Sequence, residues 1–340
     1  MKKIALLLLV ASAFTACTND EFIKDGDYFH LDHNGAKMPV WVKGNFDSDV
    51  MLITVHGGPG DGGLSHALSQ GFKNLEEEYL MVYWDQRLAG ITQGHQRTTN
   101  LDVNVYIDDT EKLVQLIQHK YPNKKFFMLG HSWGGQLAIG YLGTENHQSI
   151  FKGWIDLDGS VYGELESQLM KDYILDRVPA KLADPNENHD FWQYIVDWYE
   201  ENPLPGNYSE AQPYWYVSSL GGDVYDYDKY IQENKIPYGQ LVFNSMFAMT
   251  YYSSSTDKLL WADSINFTPE LENITIPSLM LWGADDGVVP VEVVDYVYDH
   301  LSTPESMKHV VKIPECGHGP QNEHPDKFFF EISHFIETYK

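Results

Sequence analysis

The chain has little cysteine and little positive charge. Its two cysteines, Cys17 and Cys316, exclude a disulfide scaffold and a zinc site built from thiolates. Against 49 Asp+Glu stand 23 Lys+Arg, and the formal charge of −26 repels phosphate backbones and anionic headgroups. No Lys/Arg cluster beyond pairs reverses that sign locally, so nucleic acid is excluded as a partner and neutral or cationic ligands remain. The 14 histidines show no HExxH or related ligand spacing, and neither a metal nor another cofactor is expected. Internal repeats and low-complexity tracts are also lacking. What is plentiful is aromatic: 14% of the 340 residues are Phe, Trp or Tyr, within a hydrophobic share of 43% that suffices for a sizeable core.

The apolar run Ile4–Val10 is too short to span a bilayer. With Lys2 and Lys3 before it and small residues up to Ala16 after it, residues 1–16 form an export signal. Phe14-Thr15-Ala16-Cys17 resembles the lipobox of bacterial lipoproteins, which implies lipidation of Cys17 as the first mature residue. Cleavage there removes two lysines and no acid, shifting the formal charge from −26 to −28. The expectation is an exported, membrane-anchored lipoprotein, periplasmic or on the outer-membrane surface, that touches the membrane only through its anchor. Residues 17–26 read as a linker.

From about residue 27, short β-branched and aromatic runs alternate with helical patterns, the sign of a mainly parallel sheet covered by helices. Strands are expected at 27–31, 38–42, 50–55, 79–84, 125–129, 153–157, 278–282 and 309–313, the first three as an antiparallel lead-in. Helices are expected at 105–119, 135–142, 291–301 and 325–339. The rhythm breaks over residues 160–262, which hold 20 of the 47 aromatic residues and 16 Asp+Glu against 6 Lys+Arg. An insertion of that length after the sixth strand reads as a largely helical cap on a core of residues 27–159 and 263–340.

Gly130-His131-Ser132-Trp133-Gly134 is a G-x-S-x-G pattern, weak alone but placed between the apolar run 126–129 and a helical pattern from Gly135. That is the strand, sharp turn and helix of a nucleophile elbow, with Ser132 as nucleophile and the Trp133 N–H facing a developing oxyanion. The second oxyanion donor comes from His56-Gly57-Gly58-Pro59-Gly60, at Gly58 with Gly57 as the alternative. Chain order then asks for an acid and a histidine. Asp286 fits the turn after the strand 278–282, with Asp285 and Asp158 as substitutes. His318, in Cys316-Gly317-His318-Gly319, is the general base. These residue types carry acyl transfer: the imidazole accepts the serine proton, a buried carboxylate fixes its tautomer, and an acyl-enzyme is hydrolysed by water.

Together, His56-Gly57-Gly58-Pro59-Gly60, Asp85-Gln86-Arg87, Thr98-Thr99-Asn100 running into Ile107–Leu113, and Gly130–Gly135 resemble the prolyl aminopeptidase (proline iminopeptidase) family of α/β-hydrolases. The resemblance implies release of an N-terminal residue, often proline, from short peptides, with cap carboxylates on the free ammonium. Trp192 and Trp198-Tyr199-Glu200 resemble the family's cap helix, which implies Glu200 as the amine anchor and Trp198 beside it. The spacing differs by a residue, Asn244–Phe247 offers no second cap glutamate, and Leu88-Ala89-Gly90 replaces the usual glycine after Arg87. Arg87 is expected to brace the active-site loops through an ion pair. Besides the peptidase, two further readings remain: an esterase or amidase of small aromatic or amphipathic compounds, and a non-catalytic surface binding lipoprotein.

Overall fold

The computed structural model describes residues 26–94, 102–203, 212–227, 229–230 and 265–340. Cys17 with the expected signal, Thr98-Thr99-Asn100 and Asn244–Phe247 lie outside the described residues.

Nine strands, β1 Gly26–His33, β2 Ala36–Gly44, β3 Val50–Val55, β4 Leu80–Trp84, β5 Gln93–Gly94, β6 Lys125–His131, β7 Phe151–Leu157, β8 Ser278–Gly283 and β9 Lys308–Ile313, share one sheet. Its order is β1-β2-β4-β3-β6-β7-β8-β9, with β5 beside β2. Only β1, β2 and β5 run antiparallel to their neighbours; β3 pairs in parallel with both β4 and β6. The expected antiparallel lead-in is therefore two strands, and the third belongs to the parallel body. The reason lies in its composition, since β3 is buried along its whole length, as a central strand covered on both faces must be.

Successive residues of a strand face opposite sides of the sheet, and here each side has its own core. Met51, Ile53 and Val55 of β3 join one, with Leu80, Val82 and Trp84 of β4 and Phe126 and Met128 of β6. Val50, Leu52, Met81, Tyr83, Phe127 and Leu129 join the other. The first core is covered by helices α3 Val103–Lys120, α4 Trp133–Leu142, α8 Thr268–Leu271 and α9 Val293–His300. The second is covered by α1 Gly63–Leu68, α2 Gln70–Glu78 and α11 Pro325–Tyr339, with α10 Pro320–Glu323 leading into the last. The end of α11 shows the pattern at work: Phe328, Ile332, Phe335 and Ile336 recur at helical spacing and all are buried.

The chain leaves this core after β7 and returns beside its exit. Tyr162 pairs with Asn266, Gly163 N–H donates to Ile265 O at 3.1 Å, and Phe267 N–H donates to Val161 O at 3.0 Å. Between these points the described residues are helical: α5 Gly163–Ala183, α6 His189–Glu201 and α7 Gln212–Ser219. They pack on a separate cluster of Tyr173, Ile174, Val178, Trp192, Ile195, Tyr199, Tyr216 and Val217.

Candidate active site

β6 delivers Ser132 at its C-terminal end. The strand stops because Ser132 takes φ 57° and ψ −126°, a conformation costly for a non-glycine residue and held by its surroundings. Ser132 N–H donates to Leu157 O at 3.0 Å, and Ser132 O accepts from Gly135 N at 2.8 Å and Ser160 N at 3.1 Å. The turn admits no side chain at its far side: a Cβ on Gly134 would stand 2.0 Å from Val55 O. Helix α4 starts at Trp133, whose backbone N–H therefore has no intrahelical acceptor.

The loop after β3 runs alongside. A Cβ on Gly57 would lie 3.2 Å from Ser132 Cβ, so backbone alone fits against the serine. Gly58 follows at φ 122°, a region open to glycine. Among the described residues no protein group accepts from the Gly58 or Trp133 backbone N–H.

The loop is tied to the elbow by Gln86, a residue that the sequence singled out only as part of a motif. Its Nε2 donates to His56 O at 2.8 Å, its backbone N–H to His56 Nε2 at 3.0 Å, and its Oε1 accepts from Trp133 Nε1 at 3.2 Å. His56 must then be the neutral Nδ1–H tautomer, donating to Gly57 O at 2.8 Å; burial lowers its pKa to about 4, in keeping with that state. Arg87 braces as expected: its guanidinium grips Asp109 with Nε and Nη2 at 2.9 and 2.8 Å, and both groups are fully buried.

Asp286 and His318 meet from the loops after β8 and β9. His318 Nδ1 lies 2.7 Å from Asp286 Oδ2, while Asp286 Oδ1 accepts from Val288 N at 2.8 Å and Val289 N at 3.1 Å. This selects Asp286 over its neighbour Asp285, which lies outside that contact. His131 supports the histidine loop from the elbow. Its Nε2 donates to His318 O at 3.1 Å, so its Nδ1 is the acceptor facing His66 Nε2 at 3.4 Å. Burial lowers the His131 pKa to about 3, which keeps that ring neutral. Ser132 Oγ makes no hydrogen bond among the described residues, to His318 or to any other group. Such contacts are commonly long without substrate and tighten as it binds. Cys316 is a packed residue: burial raises its thiol far above the ordinary range, which removes thiolate character.

Besides Asp286 and the nearby Asp158, two carboxylates bear on His318. Asp61 follows the glycine loop, and a Cβ on Gly57 would stand 3.4 Å from its Oδ2. Asp223 comes from the insertion: its backbone O accepts from His318 N at 2.8 Å, and its side chain accepts from Tyr214 Oη at 3.1 Å and Ser218 Oγ at 3.5 Å. Burial lowers the His318 pKa to about 4, opposed by the charges of Asp223 and Asp61. Both carboxyl groups are raised, first by desolvation, with Asp223 adding repulsion at Asp61. Glu323 completes the junction, accepting from Gly317 N at 2.9 Å and Tyr225 N at 2.8 Å, so one carboxylate links the histidine loop to the insertion.

Glu200 is placed differently from the expectation. The buried face of α6 carries Trp192, Ile195 and Tyr199, and Glu200, one position on, is exposed, its side chain making no hydrogen bond or ion pair among the described residues. Trp198 packs edge-on against Tyr199 and Tyr216, at 4.8 and 5.8 Å between centroids, as part of the insertion's own core. The carboxylates at His318 are Asp61 and Asp223 instead. Asp61 was visible as the one acid in an otherwise glycine-rich loop; Asp223 lay in a stretch without strand periodicity to place it. His131, Asp158 and His318 bring donor atoms within 4.8 Å of one another; His131 Nε2 donates to His318 O, Asp158 Oδ1 accepts from Gly283 N, and His318 Nδ1 is on Asp286.

The chain is similar to known proteins along most of its length. The chain is 22% identical over 320 residues to the "Probable aminopeptidase YbaC" of Bacillus subtilis (strain 168), covering 89% of this chain and 94% of that one. It is 24% identical over 315 residues to a proline iminopeptidase of Heyndrickxia coagulans, covering 91% and 93%. Among solved structures, a proline iminopeptidase-related protein from Thermus thermophilus superposes with a TM-score of 0.62 at 18% identity, over 92% of this chain and 98% of that one. Residues 50–325 match the family described as the alpha/beta hydrolase fold, and with its sheet order, elbow and loop placement the chain belongs to that family.

Proposed function

We propose that this hydrolase is a serine aminopeptidase that releases the N-terminal residue from short peptides through an acyl-enzyme. Ser132 Oγ attacks the carbonyl carbon of the first residue while its proton passes to His318 Nε2. Asp286 stabilises the imidazolium through Nδ1–H, and the backbone N–H groups of Gly58 and Trp133 receive the oxyanion. His318 then gives its proton to the leaving amine, and water repeats the sequence to free the acid.

The observation that carries the peptidase reading is the pair Asp61 and Asp223 beside His318. Asp61 is exposed and Asp223 half-buried, so both can meet a ligand; a like charge beside Asp61 raises its proton affinity, and a bound ammonium relieves that repulsion. An ester without a cationic group gains nothing from it. Tyr214 on Asp223 adds an aromatic wall to the same subsite. Relatives of similar length named as aminopeptidase and proline iminopeptidase support the assignment. Export and anchoring at Cys17 form part of the proposal; a Cys17→Ser chain should lose labelling by a fatty-acid probe.

The test compares a prolyl or alanyl arylamide with its N-acylated form and with a p-nitrophenyl ester of a neutral acid. Turnover of the free amine at least about 100-fold above the blocked amide, roughly 2.7 kcal/mol of discrimination, supports the peptidase. Equal turnover of the two amides contradicts it and favours the esterase or amidase reading.

A further inference from the structure

Asp158 directly follows β7 in a conformation with φ 44°, unusual for a residue with a side chain, and it is fully buried. Oδ1 accepts from Gly283 N at 2.8 Å, and Oδ2 has no partner among the described residues. A carboxylate oxygen of Asp158 lies within 4.8 Å of ring nitrogens of both His131 and His318. The mechanism above gives this group no task, yet a buried carboxyl with an unused oxygen is costly to keep.

We propose that His318 is served by two acids sharing one negative charge: Asp286, which holds the ring in the resting enzyme, and Asp158, a positioning residue that carries the proton and takes over the Nδ1–H when Asp286 is neutral. The division of charge follows from the donors. Asp286 accepts from Val288 N, Val289 N and His318 Nδ1, whereas Asp158 accepts from Gly283 N alone. Two carboxylates set against one imidazole cannot both ionise cheaply; burial raises Asp286 as well as Asp158, and the group with fewer donors keeps its proton. Burial and the Asp286 charge both raise the Asp158 pKa, and Asp156 and Glu323 add to it. Asp156 is itself raised by burial, Cys316 is an un-ionised thiol and His131 is neutral, so among the described residues no cation bears on Asp158 except the His318 imidazolium formed during turnover.

The inference rests on the Ser-His-Asp reading and is tested by a double-mutant cycle on the full chain. Loss of a triad acid costs about 10⁴-fold in kcat elsewhere. Asp286→Asn is expected to cost kcat/KM only about 10²- to 10³-fold, because removing the Asp286 charge lets Asp158 ionise. Asp286→Asn/Asp158→Asn should fall at least tenfold further, a larger factor than Asp158→Asn costs alone; the asparagine keeps the acceptor for Gly283 N–H. Activity of Asp286→Asn should rise with pH as Asp158 ionises, a limb absent from the double variant. Should Asp286→Asn be insoluble, Asp286→Ala supports the same comparison. Equal rates for single and double variants, or the same cost of Asp158→Asn in both backgrounds, would overturn the second acid while leaving the triad standing. Full activity of Ser132→Ala would instead remove the triad reading itself.

Discussion

The sheet and the insertion are built on different terms. In the sheet, the ends of β6, β8 and β9 place Ser132, Asp286 and His318, and the strands behind them are buried on both faces by two continuous cores. The insertion packs its helices on a separate aromatic cluster and leaves Trp215 66% exposed. It meets the catalytic loops through polar contacts, among them Asp223 O with His318 N, Gly222 O with Gly287 N, Tyr173 Oη with Asp285 O and Glu323 with Tyr225 N, and through Val288, which packs on the insertion's cluster. On the proposed function the core supplies the reaction, while the insertion contributes to what enters. The candidate amine subsite takes one carboxylate from each, Asp61 from a core loop and Asp223 from the insertion.

That contrast can be broken at several points. The largest expected effect is on chemistry: Ser132→Ala should lower kcat by about 10⁴-fold or more with an unchanged thermal midpoint, and it should abolish labelling by a fluorophosphonate. Next comes stability. Phe328→Ala, in the core under the sheet, should cost about 3–5 kcal/mol of unfolding free energy measured in denaturant. Trp192→Ala, in the cluster of the insertion, should leave the main unfolding transition close to that of the native chain and raise KM instead. Similar losses of global stability for both would show that core and insertion unfold as one unit.

How much of this was legible in the sequence follows the same division. β3 and α11 were readable to the residue at both ends, because an unbroken apolar run and a helical repeat both announce burial. The elbow, Asp286 and His318 were legible because sharp turns at strand ends demand glycines at fixed offsets. α2 was not expected, since only Phe72 and Leu75 mark its buried face among polar neighbours. In the insertion the helix of Trp192 and Tyr199 was recognisable, but the direction of Glu200 was not. Its orientation is set by which face the neighbouring helices cover, and a single glutamate carries no record of that. Asp223 acts through a backbone carbonyl and a side chain in an irregular segment, and neither leaves a periodic signal.

A smaller effect concerns pH. His318 must be neutral to accept the serine proton, and burial brings its pKa down from 6.5 to about 4. The acid limb of kcat/KM for an uncharged ester should therefore lie well below pH 6.5. Asp61 and Asp223 favour the imidazolium, so replacing either with Asn should move that limb lower still; an upward shift would place the carboxylates elsewhere.

The two carboxylates, Asp61 and Asp223, are proposed to read the free amine. This proposal is tested most directly by the ratio of kcat/KM for a free-amine arylamide to that for its N-acylated form, measured in the native chain and in Asp61→Asn/Asp223→Asn. The ratio should collapse by tenfold or more in the double variant, about 1.4 kcal/mol or more, through loss on the free amine alone. A ratio that survives both substitutions would contradict it.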